Sequence, residues 1–144
     1  MYLIVWIVNI NLRANMWQDF ADYILNETKN RKVKIAEVGV GKFSQIADML
    51  QKEDNITIIK TDILPADATV IKDDITNPNL ELYRDVDIIY SIRPPSELQP
   101  YLVNLAKDIG SQLIIKPLTN EDLNTPQVKM KLKNYNKASF YILR

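Results

Sequence analysis

The run Glu37-Val38-Gly39-Val40-Gly41-Lys42-Phe43 is the part of the sequence best suited to chemistry. An acid two residues ahead of a Gly-x-Gly pair fits a tight turn at which backbone approaches a ligand, because glycine takes left-handed conformations at no steric cost. Where such a turn leads from a strand into a helix, amide N–H groups also face the ligand. The chain has three glycines in all, and two of them fall here. Further along stand acids at Asp62 and at Asp73-Asp74, each following an apolar run, and cations at Arg93 and Lys116, each beside proline. Carboxylates accept hydrogen bonds from sugar hydroxyls and base amines, and cations hold phosphate or carboxylate groups.

Two kinds of nucleotide site use a turn of this sort. A dinucleotide site asks for G-x-G-x-x-G, and Ser44 occupies the third position. A site for S-adenosylmethionine (SAM) asks for an acid two residues before the first glycine, which Glu37 supplies, while Phe43 stands where a third glycine is often found. Asp62 lies about 20 residues on, where a ribose-binding carboxylate belongs, and an acid there suits free ribose hydroxyls rather than a 2′-phosphate. Of Asp73 and Asp74, the second, followed by Ile75, fits an adenine edge better. SAM is therefore the expected cofactor, with NAD the alternative. Each aspartate taken singly also reads as a solvated loop residue or a helix cap.

These residues need a scaffold, and apolar periodicity supplies one. Trp17, Phe20, Ala21, Ile24 and Leu25 form the stripe of a first helix, entered near Asn15. Val33–Val38 reads as a buried strand, and Phe43, Ile46, Ala47 and Leu50 as the stripe of a second helix. Strands are expected at 56–59, 69–71, 86–92 and 113–115, with a helix over Leu98–Ile109 that Gly110 ends. Val128–Lys133 alternates strictly and Ser139–Leu143 is apolar, so a C-terminal antiparallel hairpin is expected around the turn-like Asn134–Lys137. Strands alternating with helices predict an α/β fold, a doubly wound and mostly parallel Rossmann-like sheet. Residues 16–144 are expected to form this one domain. Residues 1–15 are expected to be an extra segment ahead of a start at Met16.

Composition removes several functions. With no Cys and no His among 144 residues, disulfides, thiolate nucleophiles, Ser-His-Asp triads and the common zinc sites are excluded, and no metal site is expected. The 18 basic and 18 acidic residues balance, so no bulk attraction to nucleic acid or to an anionic membrane is expected. Lys129, Lys131 and Lys133 read as a solvated strand face, since no aromatics interleave them for base stacking. The apolar run Met1–Ile10 is shorter than the roughly 20 residues that span a bilayer. It also lacks a signal peptide's basic start and cleavage site, so a cytoplasmic location is expected.

Four runs carry a resemblance: Glu37-Val38-Gly39-Val40-Gly41, Asp73-Asp74-Ile75-Thr76, Ile89-Tyr90-Ser91-Ile92-Arg93-Pro94-Pro95 and Leu113-Ile114-Ile115-Lys116-Pro117-Leu118. They resemble a small family of uncharacterised archaeal proteins (uncharacterised protein family 0146), itself similar to the Rossmann-like fold of SAM-dependent class I methyltransferases. The resemblance implies Glu37, Gly39 and Gly41 on the methionine and ribose side of SAM, Asp62 on the ribose and Asp74 at the adenine. It implies no established reaction. Where amino-methyltransferases place an acid or amide before Pro-Pro, this chain has Arg93, which cannot accept a hydrogen bond from an amine. Arg93 and Lys116 are instead candidates to hold an anionic substrate group, with Tyr90 as a polar handle. Salt pairing of Arg93 with Glu97 is the competing role. The substrate is left open: a small molecule, a protein partner or a second copy of the chain. So are two other functions, a nucleotide-binding regulatory module and a silent scaffold.

Overall fold

The computed structural model describes residues 16–117 and 122–144. The expected extra segment at 1–15 and the helix entry at Asn15 lie outside them. Helix α1 covers 16–27, and β1 (Val33–Val38), α2 (Gln45–Gln51), β2 (Ile56–Asp62) and β3 (Ile71–Lys72) follow. Then come β4 (Ile88–Ile92), α3 (Gln99–Ile109), β5 (Gln112–Lys116), β6 (Lys131–Tyr135) and β7 (Ala138–Leu143). The strands form one sheet in the order β3-β2-β1-β4-β5-β7-β6. β1 to β5 pair in parallel, while β7 runs antiparallel to both β5 and β6. This is the Rossmann-like, mostly parallel sheet with a C-terminal antiparallel hairpin that the alternation of elements predicts.

Side chains alternate between the two faces of each strand, and the core divides accordingly. On one face Val33, Ile35, Ile88, Tyr90, Ile114 and Phe140 pack with Phe20, Ile24, Ile46 and Leu50 of α1 and α2. On the other, Ala36, Val38, Ile89, Leu113 and Ile115 meet Leu102, Leu105 and Ala106 of α3 and Tyr83 of a short 3-10 turn, Leu80–Tyr83. The second face has the thinner cover, because residues 63–70 join β2 to β3 without a helix. Gly110 ends α3 in the left-handed conformation, its N–H donating to the Ala106 carbonyl at 2.9 Å. Among the described residues no helix is long and apolar enough to cross a membrane.

The third strand is Ile71–Lys72 rather than 69–71, since Thr69 is drawn into a turn by the Asp67 carboxylate, which accepts from its N–H at 2.8 Å. The hairpin differs in its first strand. Val128 closes a turn on the Thr125 carbonyl at 3.2 Å, so pairing begins only at Lys131. Val128 and Met130 still pack on the second core face, whereas Leu132 is 48% exposed on the outermost strand. Asn136, at φ 52, turns the hairpin, a conformation that asparagine tolerates better than most residues.

Candidate functional site

In a doubly wound sheet the crevice opens at the carboxyl ends of the strands where the order reverses, here between β1 and β4. A cavity of about 450 Å³ lies there, within the range of small-molecule sites. Gly39, Asp62, Asp74 and Arg93 line it, together with Thr61, Asp73, Tyr83 and Ser91. Its apolar walls include Ile63, Ile75, Pro94, Leu98 and Leu102. Four of the residues expected from the sequence are thus brought to one cavity from the ends of four strands.

The glycine turn is built for close approach. Gly39 has φ +72, and a Cβ placed on it would meet nothing nearer than Ser91 Oγ at 3.9 Å. Its requirement for glycine is therefore conformational, and its open side is the cavity wall. The N–H groups of Gly39 and Val40 donate to the Thr61 carbonyl at 2.9 and 3.2 Å, which ties the turn to β2. Gly41, also left-handed, donates its N–H to Asp62 Oδ2 at 2.8 Å. Asp62 Oδ1 accepts from the Leu64 N–H at 2.9 Å, so the carboxylate is held from both sides by backbone. The turn does not open a helix directly. Ser44 precedes α2, a helix of 7 residues, with its hydroxyl on Asp48 at 3.3 Å.

The two acids after β3 are spent differently. Asp73 accepts from the Asn79 N–H at 3.0 Å and from the Tyr83 hydroxyl at 2.8 Å, and that hydroxyl also lies 3.0 Å from Thr61 Oγ1. Asp74 takes both Thr76 contacts, from Oγ1 at 2.8 Å and N–H at 2.9 Å, on a single oxygen, Oδ1. Those two bonds hold its carboxyl below the ordinary range. Oδ2 of Asp74 takes no hydrogen bond among the described residues, and Asp74 lines the cavity.

Glu37, Tyr90 and Lys116 do not line the cavity. Glu37 pairs in register with Tyr90, and the Tyr90 hydroxyl donates to Glu37 Oε1 at 2.6 Å beneath α1 and α2. Both are buried, and Glu37 Oε2 has no partner. Burial pushes the Glu37 carboxyl up to about 8, against smaller downward pulls from the Tyr90 hydrogen bond and Lys60. Tyr90 is raised well above its usual value by burial and then by Glu37. Lys116 is 2% exposed, donates to the Pro117 carbonyl at 2.8 Å and sits over the Trp17 ring at 5.6 Å. Its burial lowers the ammonium pKa.

Arg93 adopts φ 51, a left-handed backbone that costs a non-glycine residue about 1–3 kcal/mol. Its N–H is fixed to the Lys116 carbonyl at 2.8 Å, so backbone joins the two cations at the rim. The guanidinium lies 5.8 Å from the centroid of Phe43, whose ring packs on Trp17 at 4.9 Å. No ion pair to Glu97 forms among the described residues, where Arg84–Glu81 at 2.7 Å is the one salt bridge.

Sequence reasoning did not single out Thr61, Tyr83 or Ser91 for the site. Ser91 carried a signal, as a polar residue inside the apolar run 88–92, and its hydroxyl donates to the Val38 carbonyl at 2.8 Å. Tyr83 carried none, because it reaches the site from a 3-10 turn with no apolar period.

The model of the Uncharacterised protein family (UPF0146) matches residues 17–144. A UPF0146 protein of Methanothermobacter thermautotrophicus is 43% identical over 126 residues, covering 88% of this chain and 93% of its own. Among solved structures, a SAM methyltransferase from Silicibacter pomeroyi superposes with a TM-score of 0.63 at 11% identity, covering 92% of this chain and 93% of its own. A magnesium protoporphyrin IX methyltransferase from Synechocystis, solved with bound SAM, gives a TM-score of 0.56 at 10% identity, covering 91% and 77%. At such identities the likeness establishes the fold, which is that of the class I SAM methyltransferases. None of these similarities points to NAD.

Proposed function

The chain belongs to uncharacterised protein family UPF0146, and we propose that it is a SAM-binding domain of the methyltransferase type, with the adenosine half of the ligand in the cavity at the ends of β1 to β4. One observation carries this reading. Asp62 stands on the cavity wall with each carboxylate oxygen already fixed by one backbone N–H, from Gly41 and from Leu64. Each oxygen keeps further lone-pair capacity, so the fixed carboxylate can accept from the two hydroxyls of a ribose. Around it the remaining parts fit an adenosine. Gly39 leaves room for the sugar, Ile63 and Ile75 offer apolar surface to a planar base, and Asp74 Oδ2 accepts from an exocyclic amine.

Glu37 serves this site from beneath. It ties β1 to β4 through Tyr90 under the glycine turn, so its part is to position the turn. SAM, when bound, supplies a methyl group already activated by its sulfonium, so positioning by the protein suffices for transfer. The absence of His and Cys is then no obstacle to an enzyme, and the open side of the cavity would admit a small acceptor.

Thermal melting with SAM, S-adenosylhomocysteine, NAD and ATP tests the reading. Either SAM or S-adenosylhomocysteine at 100 times its dissociation constant should stabilise the fold by about 2.7 kcal/mol. Melting curves that move with NAD or ATP but not with the two sulfur ligands would overturn it.

A further inference from the structure

Arg93 is the charged residue of the cavity that an adenosine leaves without a task. The cavity's charges are segregated: Asp62 ends β2, Asp73 and Asp74 follow β3, and Arg93 follows β4. In the sheet order β4 stands three places from β3, which at a strand spacing of about 4.8 Å is about 14 Å. A ligand that spans the crevice with its sugar and base at the acidic end therefore presents its other end, or a second molecule, to a cation.

The surroundings of Arg93 keep that cation available. The Phe43 ring, packed on Trp17, lies with its centroid 5.8 Å from the guanidinium carbon and, as a ring face, takes none of its N–H donors in a conventional hydrogen bond. No described carboxylate pairs with it. Its backbone is pinned in a left-handed turn by the Lys116 carbonyl and the following Pro94-Pro95, so the side chain leaves the rim from a fixed point. Lys116 adds positive charge behind the rim, but its ammonium is already spent on the Pro117 carbonyl and Trp17. Of the two cations, only Arg93 is among the residues that line the cavity.

We propose that Arg93 is the oxyanion-recognising residue of this cavity, so that what binds at the β4 end carries a carboxylate or phosphate group. The planar fork of a guanidinium suits either group through paired N–H bonds. The inference deepens the SAM reading and rests on it for the placement of the adenosine alone. The oxyanion has two sources, the amino-acid carboxylate of the cofactor or an anionic acceptor, and the ligands below separate them.

The full chain and its Arg93→Gln and Arg93→Gly variants are titrated calorimetrically with S-adenosylhomocysteine, with 5′-methylthioadenosine, which lacks the carboxylate, and with inorganic phosphate. If the oxyanion is the cofactor's own, both variants lose tenfold or more in affinity for S-adenosylhomocysteine and none for methylthioadenosine. If it belongs to an acceptor, both variants keep wild-type affinity for the two adenosine ligands and lose phosphate binding. The glycine variant suits the left-handed backbone, so its Tm should be no lower than wild type, which separates loss of the guanidinium from collapse of the loop. Variants equal to wild type toward all three ligands would overturn the proposal. A wild-type protein that binds neither adenosine compound would sink the SAM reading alone, and phosphate on the bare protein, wild type against variants, would still decide for or against Arg93.

Discussion

At the scale of single residues, direction matters as much as position. Glu37, Tyr90 and Lys116 sit at the right strand ends for a site, yet their side chains enter the core beneath α1 and α2. Strand parity explains all three. Glu37 shares a face with Val33 and Ile35, Tyr90 with Ile88 and Ile92, and Lys116 with Ile114. That parity was readable in the sequence. Which face would open into a cavity was not, because it depends on how little covers the second face. Glu37 yields a pH prediction. Its carboxyl titrates at about 8 in the fold against an ordinary 4.5, so the folded state holds a proton that the unfolded chain has released. Stability therefore falls as pH rises from about 4.5 to about 8, by at most about 5 kcal/mol. Glu37→Gln should flatten the dependence of Tm on pH across that window and melt higher than wild type at pH 8. An unchanged slope would mean that Glu37 titrates normally.

At the scale of elements, the strands and helices that build the site were legible because each has a clear period and an end signal. β1 matched its apolar run, and Gly110 stops α3 where a left-handed residue was expected. Legibility failed where tertiary context sets the boundary, as at β3, which has two residues, and at β6, where Val128 and Met130 pack as loop ahead of the strand. The site shows the same division. Asp62 was legible from its distance to the glycines, but its dependence on the Gly41 and Leu64 amides was not, since those bonds join loops 21 and 2 residues apart. Because α3 is the one α-helix on the second face among the described residues, its core contacts should carry a large share of stability. Leu105 is 1% exposed and does not line the cavity. Leu105→Ala should cost about 2–5 kcal/mol in denaturant unfolding, the range for buried leucines. A loss under 1 kcal/mol would show that the face repacks without it.

At the scale of the molecule, every described strand belongs to one sheet, and the cavity at its carboxyl edge is bounded by the fold itself rather than by a second domain. The UPF0146 protein of Methanothermobacter thermautotrophicus is matched over 93% of its own length. The segregation of acids and Arg93 across that edge gives the crevice a polarity, with hydroxyl and amine donors favoured at β2 and β3 and an oxyanion at β4. The central claim is that the Asp62 carboxylate receives a ribose in this crevice. Calorimetric titration of S-adenosylhomocysteine into the wild type and Asp62→Asn tests it most directly. Asparagine keeps the size but replaces one acceptor oxygen by an NH2 that can accept neither from the ribose nor from the Gly41 or Leu64 N–H. So the account predicts saturable 1:1 binding to the wild type and at least tenfold weaker binding to the variant, with both proteins folded by circular dichroism. Equal affinity in the two proteins, or no heat of binding in either, would contradict it.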